Sequence, residues 1–362
     1  MGIPPAALRR ALPSLGLVVV LGVVTLVHGD VIAETIRRSG DIPLFALFGL
    51  LLAAACLATS RGFLLSVVTP GISVREGVKA DQSALAAAYA VAFGGGALGV
   101  AAKVTMFRSW AVSFDATAVS LVATAVLPTL STWIPAVFVH LPMVMNGSPT
   151  QAEALAVIVG IGALVFNIGF WALVLYTHRP ARTIARIFEH SQGFALRKVP
   201  ARFNRLHASI EQADPHRFTG SVKDGLRSLI RTRWLGMTVG TVLVPCVSFI
   251  SLLLALHAYD VTEVSVLEAL SAFALVRVIV SLSPLPGGVG LAELGLVALL
   301  TEAGASEVGA TGATILYRAV TWLSPMIIGA VSWWLWKRSH TTMTKGQLHG
   351  ALRHPHPLTE VS

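Results

Sequence analysis

The chain has 362 residues, of which 54% are hydrophobic and only 12% charged, and its mean hydropathy is +0.73. Soluble domains carry about a quarter charged residues, so a soluble globular protein is excluded, and the same composition excludes a disordered chain. The formal net charge is +9, but residues 179–233 hold twelve Lys/Arg against four Asp/Glu and so carry +8 of it; basicity concentrated beside membrane spans indicates a cytoplasmic loop facing anionic lipid headgroups rather than nucleic acid.

Apolar runs of about 18 residues or more read as spans. The first runs from Ala11 to Val27 behind Arg9 and Arg10. No small-residue cleavage site follows it, so it is read as a retained span with a cytoplasmic N-terminus. Further apolar runs lie near 42–60, 84–102, 117–140, 152–177, 234–258, 264–283, 285–302 and 312–336. Cys56 and Cys246 lie inside such runs and read as small core residues, with neither a disulfide nor a thiolate metal site expected. Within the basic loop, Ile184, Ile187 and Phe188 recur at helical spacing, as do Leu226, Leu229 and Ile230. These predict short amphipathic helices lying at the membrane surface.

Charge fixes the topology by parity. Arg9/Arg10, the Arg61–Lys79 connection and the 179–233 loop all belong on the cytoplasmic side, yet three apolar runs separate the last two. One run therefore does not cross. The candidate is 84–102, interrupted by Gly94, Gly95, Gly96 and Gly99, which predicts a re-entrant or broken helix lining a protein-walled cavity.

The two halves of the chain also resemble each other. Gly95 precedes Ser113 by 18 residues, Gly288 precedes Ser306 by 18, and a small-residue apolar helix follows each serine. A glycine break followed by such a helix, present twice, is how transporters place a site near the bilayer midplane. If 285–302 re-enters like its counterpart, the Lys337/Arg338 tail emerges outside; if it spans, the tail is cytoplasmic. The expected fold is thus an all-α polytopic membrane protein with seven or eight transmembrane helices and Gly-rich re-entrant or broken helices in two internal repeats. Its parts are a first membrane half (1–178), the basic loop (179–233), a second membrane half (234–338) and a disordered polar tail (339–362).

The strongest local signal is Ser283-Pro284-Leu285-Pro286-Gly287-Gly288-Val289-Gly290-Leu291-Ala292-Glu293. Proline and glycine at this density cannot continue a regular helix, so the freed backbone groups need other partners. Pro286-Gly287-Gly288-Val289-Gly290 with Glu293, then Tyr317-Arg318, resembles the membrane region of lysylphosphatidylglycerol synthases, part of a wider set of flippase-like integral membrane proteins. The resemblance extends to the basic loop before Trp234 and to the Gly94–Ser113 half. It implies a bacterial inner-membrane protein that moves a lipid headgroup across the bilayer. The first half departs from the pattern, having Gly99, Val100 and Ala125 where the second has Ala292, Glu293 and Arg318. The sequence stops shortly after Arg338, so the soluble aminoacyl-transferring domain and enzymatic activity are not expected.

Three ionisable residues lie deep in apolar runs: Arg277, Glu293 and Arg318. Each costs roughly 2.5–3.5 kcal/mol at a helix centre and should face a partner or a wet cavity. Glu293 and Arg318 flank a turn at 303–306 at distances of about 15 and 18 Å along two helical arms, so they can meet at one depth. One reading is a headgroup site formed by Gly287, Gly288, Gly290, Glu293, Arg318 and Arg277, with the arginine forks facing phosphate. The other is a buried ion pair that fixes the helix hairpin. Lys103 and Arg108 are expected to snorkel to the membrane edge, Asn167 to bond across helices, and Trp322, Trp333, Trp334 and Trp336 to anchor at the interface. No catalytic, metal or cofactor site is expected. Two functions stand side by side: a lipid or lipid-linked headgroup translocase, and a non-transporting scaffold or regulatory subunit for an envelope lipid- or glycosyl-transferring membrane enzyme.

Overall fold

The computed structural model describes residues 29–91, 95–145, 147, 151–176, 215–281, 283 and 286–353. The predicted first span, Gly94, the Ile184–Phe188 helix and residues 354–362 lie outside them. The described elements are helical throughout: α1 Gly29–Arg38, α2 Leu44–Val68, α3 Val74–Tyr89, α4 Gly95–Ser109, α5 Phe114–Met145, α6 Gln151–Tyr176, α7 Pro215–Ala258, α8 Val266–Ser281, α9 Leu291–Glu302, α10 Glu307–Arg318 and α11 Ser324–Arg353.

Length sorts these helices into two kinds. Four continuous helical stretches are long and apolar enough to cross a bilayer: Leu44–Val68, Phe114–Pro142, Val222–Ala258 and Glu307–Ser339. Helix α6 is also apolar over its 26 residues. By contrast α3, α4, α8 and α9 have 16, 15, 16 and 12 residues, or about 18–24 Å at 1.5 Å per residue, too short for a hydrocarbon core of about 30 Å. They fold back in pairs instead. In the α3–α4 hairpin, Gly95 lies on the carbonyl of Ala88, a Cβ at Gly99 would stand 2.7 Å from the carbonyl oxygen of Ala84, and Lys103 pairs with Asp81. In the α8–α9 hairpin, Gly288 abuts Val280 and Gly295 abuts Val276.

The repeat seen in the sequence is written in matching backbone bonds. Ser73 and Ser265 open α3 and α8 with the same reciprocal cap, each accepting from the N–H of Glu76 or Glu268 at 3.3 Å and donating its own N–H back to that carboxylate. Helices α4 and α9 end alike: Val112 N–H bonds to Phe107 O and Ala305 N–H to Leu300 O, both at 3.0 Å, with Ala111 (φ 56°) and Gly304 (φ 103°) in the left-handed region. Ser113 and Ser306 then cap α5 and α10. Each repeat is therefore a span, a hairpin and a second span.

The two repeats are inverted. Trp336 Nε1 donates to Ser109 Oγ at 2.9 Å and Arg233 to the carbonyl of Val67. The base of the first hairpin, the end of α2, the start of the α7 span and Lys337/Arg338 therefore share one basic face. The ring of Phe45 lies 6.2 Å from that of His257, so the start of α2 and the end of α7 share the opposite face, from which the second hairpin enters. This corrects the sequence reading of 84–102 and 285–302 as units. The re-entrant elements are 74–109 and 266–302 entire, and the tail reaches the basic face although 285–302 does not span.

Three further expectations change. Helix α11 continues to Arg353, through much of the segment expected to be a disordered tail. Cys56 and Cys246 are exposed on the outer surface of α2 and α7 rather than in the core. Leu226 and Leu229 are buried as their spacing predicts, but Ile230 is exposed; the surface helix runs into α7 through a kink at Arg233.

Candidate functional site in the opposed hairpins

Helix α8 ends at Ser281, and the chain must reverse within nine residues to start α9. The glycines make that reversal: Gly287, Gly288 and Gly290 have φ of 65°, 63° and 86°, which L side chains adopt only with strain. At Gly287 space is short as well. A Cβ would stand 2.7 Å from Trp322 Cδ1 and 3.4 Å from Tyr89. Tyr89 is the last residue of α3, and its ring stacks on Trp322 at 6.2 Å. The tips of the two hairpins thus meet inside the protein. Trp322 belongs to this junction, not to the membrane interface.

Glu293 and Arg318 hold the reversal in place. Arg318 Nε donates to Glu293 Oε1 at 2.6 Å, its second nitrogen donates to Gly287 O at 3.0 Å, and Glu293 Oε2 accepts from Gly290 N–H at 2.7 Å. A free carbonyl and a free N–H of the Pro/Gly segment are satisfied by one ion pair. The side chains are 14% and 34% exposed, so the pair is sheltered but reachable. A π-turn over Ala319–Leu323 follows Arg318. Such extra-residue turns are frequent at functional positions; here one sets Trp322 5.8 Å under the Arg318 guanidinium.

Arg277 does not join this cluster. It reaches from α8 to α5, where it donates to Ser131 Oγ at 3.2 Å, Thr132 Oγ1 at 3.3 Å and Ser131 O at 3.4 Å. Pro135 has no N–H to bond the Ser131 carbonyl four residues back, which leaves that oxygen for Arg277. The proline inside the α5 apolar run was the available sequence signal for this contact. Phe273 lies under the guanidinium at 5.4 Å.

Lys103 forms a largely buried ion pair with Asp81 at 3.4 Å across the first hairpin rather than snorkelling. The side-chain oxygen of Asn167 is buried without a partner among the described residues, not bonded across helices. The rings of Trp333 and Trp336 lie 4.9 Å apart, tilted to each other, and Arg338 lies 3.6 Å over Trp334 near the basic face. Between the first hairpin and α11 runs an apolar groove of about 410 Å³, lined by Ala86, Leu98, Ala101, Thr105, Gly329 and Trp333. Buried polar atoms without a partner among the described residues occur on Arg61, Gln82, Arg277, Thr314 and Trp322. Buried polar groups are almost always hydrogen-bonded, to protein or to water, so this interior calls for water or a polar ligand.

Inverted repeats with broken, half-length helices define a class of membrane protein built around a polar site near the bilayer midplane. The chain belongs to the family of the lysylphosphatidylglycerol synthase TM region, whose model matches residues 14–329. Membership makes it a multi-pass membrane protein of lipid metabolism or translocation. No curated protein and no solved structure gives a significant match.

Proposed function

We propose that the protein translocates a lipid or lipid-linked headgroup across a bacterial inner membrane, with its basic face and N-terminus in the cytoplasm. The observation that carries this reading is the meeting of two hairpins that enter from opposite faces, at a junction where backbone, arginine and aromatic groups replace a continuous helix. A headgroup crossing hydrocarbon must exchange its hydration for fixed polar groups. Arg318, the loop carbonyls and the unpaired interior atoms supply them at mid-depth, while the groove beside α11 offers an apolar track for an acyl chain. No aminoacyl transfer or other chemistry is assigned to the chain. Lys and Arg on the basic face attract anionic lipid, at about 1 kcal/mol each near the surface.

The Glu293–Arg318 clamp also favours a second reading. It is closed on itself through Gly287 and Gly290, as a purely structural brace would be, and in a scaffold for an envelope lipid- or glycosyl-transferring enzyme nothing more is needed. A reconstituted assay separates the two. Liposomes holding the protein and fluorescent anionic or zwitterionic phospholipids are read with an impermeant quencher, beside Arg318→Gln protein of unchanged elution profile. Translocation predicts transbilayer movement in the wild type that the variant loses. No movement of any phospholipid by well-folded wild type favours the scaffold.

A further inference from the structure

The first hairpin carries charge where the second carries none. Counted from the matched caps Ser73 and Ser265, Asp81 and Gln82 of α3 stand where α8 has Phe273 and Ala274. Counted from the matched ends Phe107 and Leu300, Lys103 of α4 stands where α9 has Leu296. Phe273 and Leu296 belong to one apolar cluster, 3% and 1% exposed. The hairpin thus closes without an ion pair at this position, and exchanging a buried pair for well-packed apolar residues is often neutral or stabilising. A brace does not account for Asp81 and Lys103. Nor is the pair well satisfied. Lys103 Nζ donates to Asp81 Oδ1 at 3.4 Å, long beside the roughly 2.7–2.9 Å of a good charge-assisted bond. Asp81 Oδ2 is buried with no partner among the described residues. Glu293, by contrast, has both oxygens engaged, at 2.6 and 2.7 Å. Gln82, beside Asp81 in the chain, is 1% exposed, and neither polar atom of its side chain has a partner among the described residues. Among those residues the pair is also the only side-chain bond between the two arms. Their other contacts are small, with Gly95 and Gly99 lying on the carbonyls of Ala88 and Ala84.

Asp81 lies eight residues beyond Ser73, and Lys103 six before Ser109, so both stand about 9–12 Å above the base of the hairpin on the basic face. The side chains of Asp81 and Lys103 are 16% and 11% exposed, sheltered but within reach of water. Carboxylates inside membrane proteins are the groups through which pumps and transporters relay protons. We propose that Asp81 is a proton-binding site whose occupancy releases α4 from α3 and couples the hairpin to a proton gradient. A proton from water on the basic face bonds to Oδ2, and the carboxylate becomes a neutral acid. Lys103 keeps its own proton and charge but loses its counterion, and an unpaired buried ammonium is drawn toward the basic face. Helix α4 then moves along the glycine–alanine seam, while α3 keeps Tyr89 stacked on Trp322. Loss of the proton restores the pair. The other charged groups on α3 and on the helices packed against it are Arg75, Glu76 and Lys79 on α3, Arg108 on α4, Arg61 on α2, and Lys337 and Arg338 on α11. Arg75, Lys79, Arg108, Lys337 and Arg338 are exposed, and Glu76 is taken up by the Ser73 cap. The coupling to transport rests on the translocation reading; proton binding at Asp81 does not.

Hydrogen–deuterium exchange of the full-length protein in detergent reads the first step. After correction for the intrinsic pH dependence of exchange, the amides of α4 in the wild type lose protection as the buffer is acidified, by up to about tenfold per pH unit, the limit for one proton. Asp81→Asn shows the low protection at every pH. Asp81→Phe with Lys103→Leu, which copies the second hairpin, shows the high protection at every pH and melts no lower than the wild type. Wild-type protection that ignores pH, or a pH dependence that survives Asp81→Asn, overturns the proton site. A lower melting temperature for the Phe/Leu variant overturns it too, since the pair is then a brace. The second step is read in proteoliposomes with fluorescent phospholipid. An imposed pH gradient accelerates transbilayer movement severalfold in the wild type and leaves the rate of Asp81→Asn where it is without a gradient. Wild-type movement indifferent to the gradient overturns the coupling. Protection of α4 that depends on pH through Asp81, in a protein that moves no lipid under any gradient, sinks the translocation reading and leaves the proton site standing.

Discussion

The junction between the hairpins is tested by a pair of alanine substitutions. Gly287 and Gly290 both lie at positive φ, 65° and 86°, so replacing either with alanine incurs about 1–2 kcal/mol of left-handed strain. They differ in their surroundings. Nothing lies within 4 Å of a Cβ at Gly290, whereas one at Gly287 would meet Trp322 Cδ1 at 2.7 Å and Nε1 at 2.9 Å. Trp322 is stacked on Tyr89, so the ring must move against a neighbour, and overpacking of this kind costs about 1–3 kcal/mol. Gly287→Ala is therefore destabilising by about 2–5 kcal/mol in total and Gly290→Ala by about 1–2 kcal/mol. Thermal unfolding of the purified variants in one detergent measures the difference. Trp322→Ala removes the obstacle, and in that background the two glycine substitutions should cost the same. Equal effects in the wild-type background would falsify the close approach of Gly287 to Trp322, and with it the meeting of the two tips.

The clamp makes its own prediction: Glu293→Gln and Arg318→Gln each destabilise by about 2 kcal/mol, below the 3–5 kcal/mol of a fully buried pair because Glu293 is a third exposed. Their coupling in a double-mutant cycle exceeds about 1 kcal/mol; additive effects would show that the two do not act as a unit. Sidedness is checked by an impermeant thiol reagent on sealed vesicles after Cys56 and Cys246 are replaced. Arg75→Cys and Ser339→Cys should label from one face and Glu302→Cys from the other, and joint labelling of Ser339→Cys and Glu302→Cys from one face contradicts the second hairpin.

Much of this was legible in the sequence because its signals are local. The 18-residue step from Gly95 to Ser113 and from Gly288 to Ser306 marks the same helix, ended by the same left-handed turn and followed by a serine cap. The depth match between Glu293 and Arg318 needed only helical rise and a turn at 303–306, and the structure joins the two at 2.6 Å. Other features needed tertiary information. The run at 264–283 reads as a full span by hydropathy, and only its pairing with α9 shows that it turns back. Trp322 carries no local mark that separates it from Trp334, yet one lies in the hairpin junction and the other near the basic face. Arg61 was counted among the basic residues of a connection because it lies near Lys79 in sequence, whereas α2 runs on to Val68 and leaves it half-buried within the helix, with its Nε out of solvent.

The measurement closest to the central claim locks the tip of the first hairpin to the α10–α11 turn that packs on the tip of the second. Tyr89→Cys with Trp322→Cys, in protein lacking Cys56 and Cys246, is joined by a short reducible thiol cross-linker and reconstituted with fluorescent phospholipid. The account predicts that cross-linking stops transbilayer movement and that reduction restores it, while either single cysteine is unaffected by the reagent. Full movement in quantitatively cross-linked protein would mean that headgroups do not pass between the hairpins.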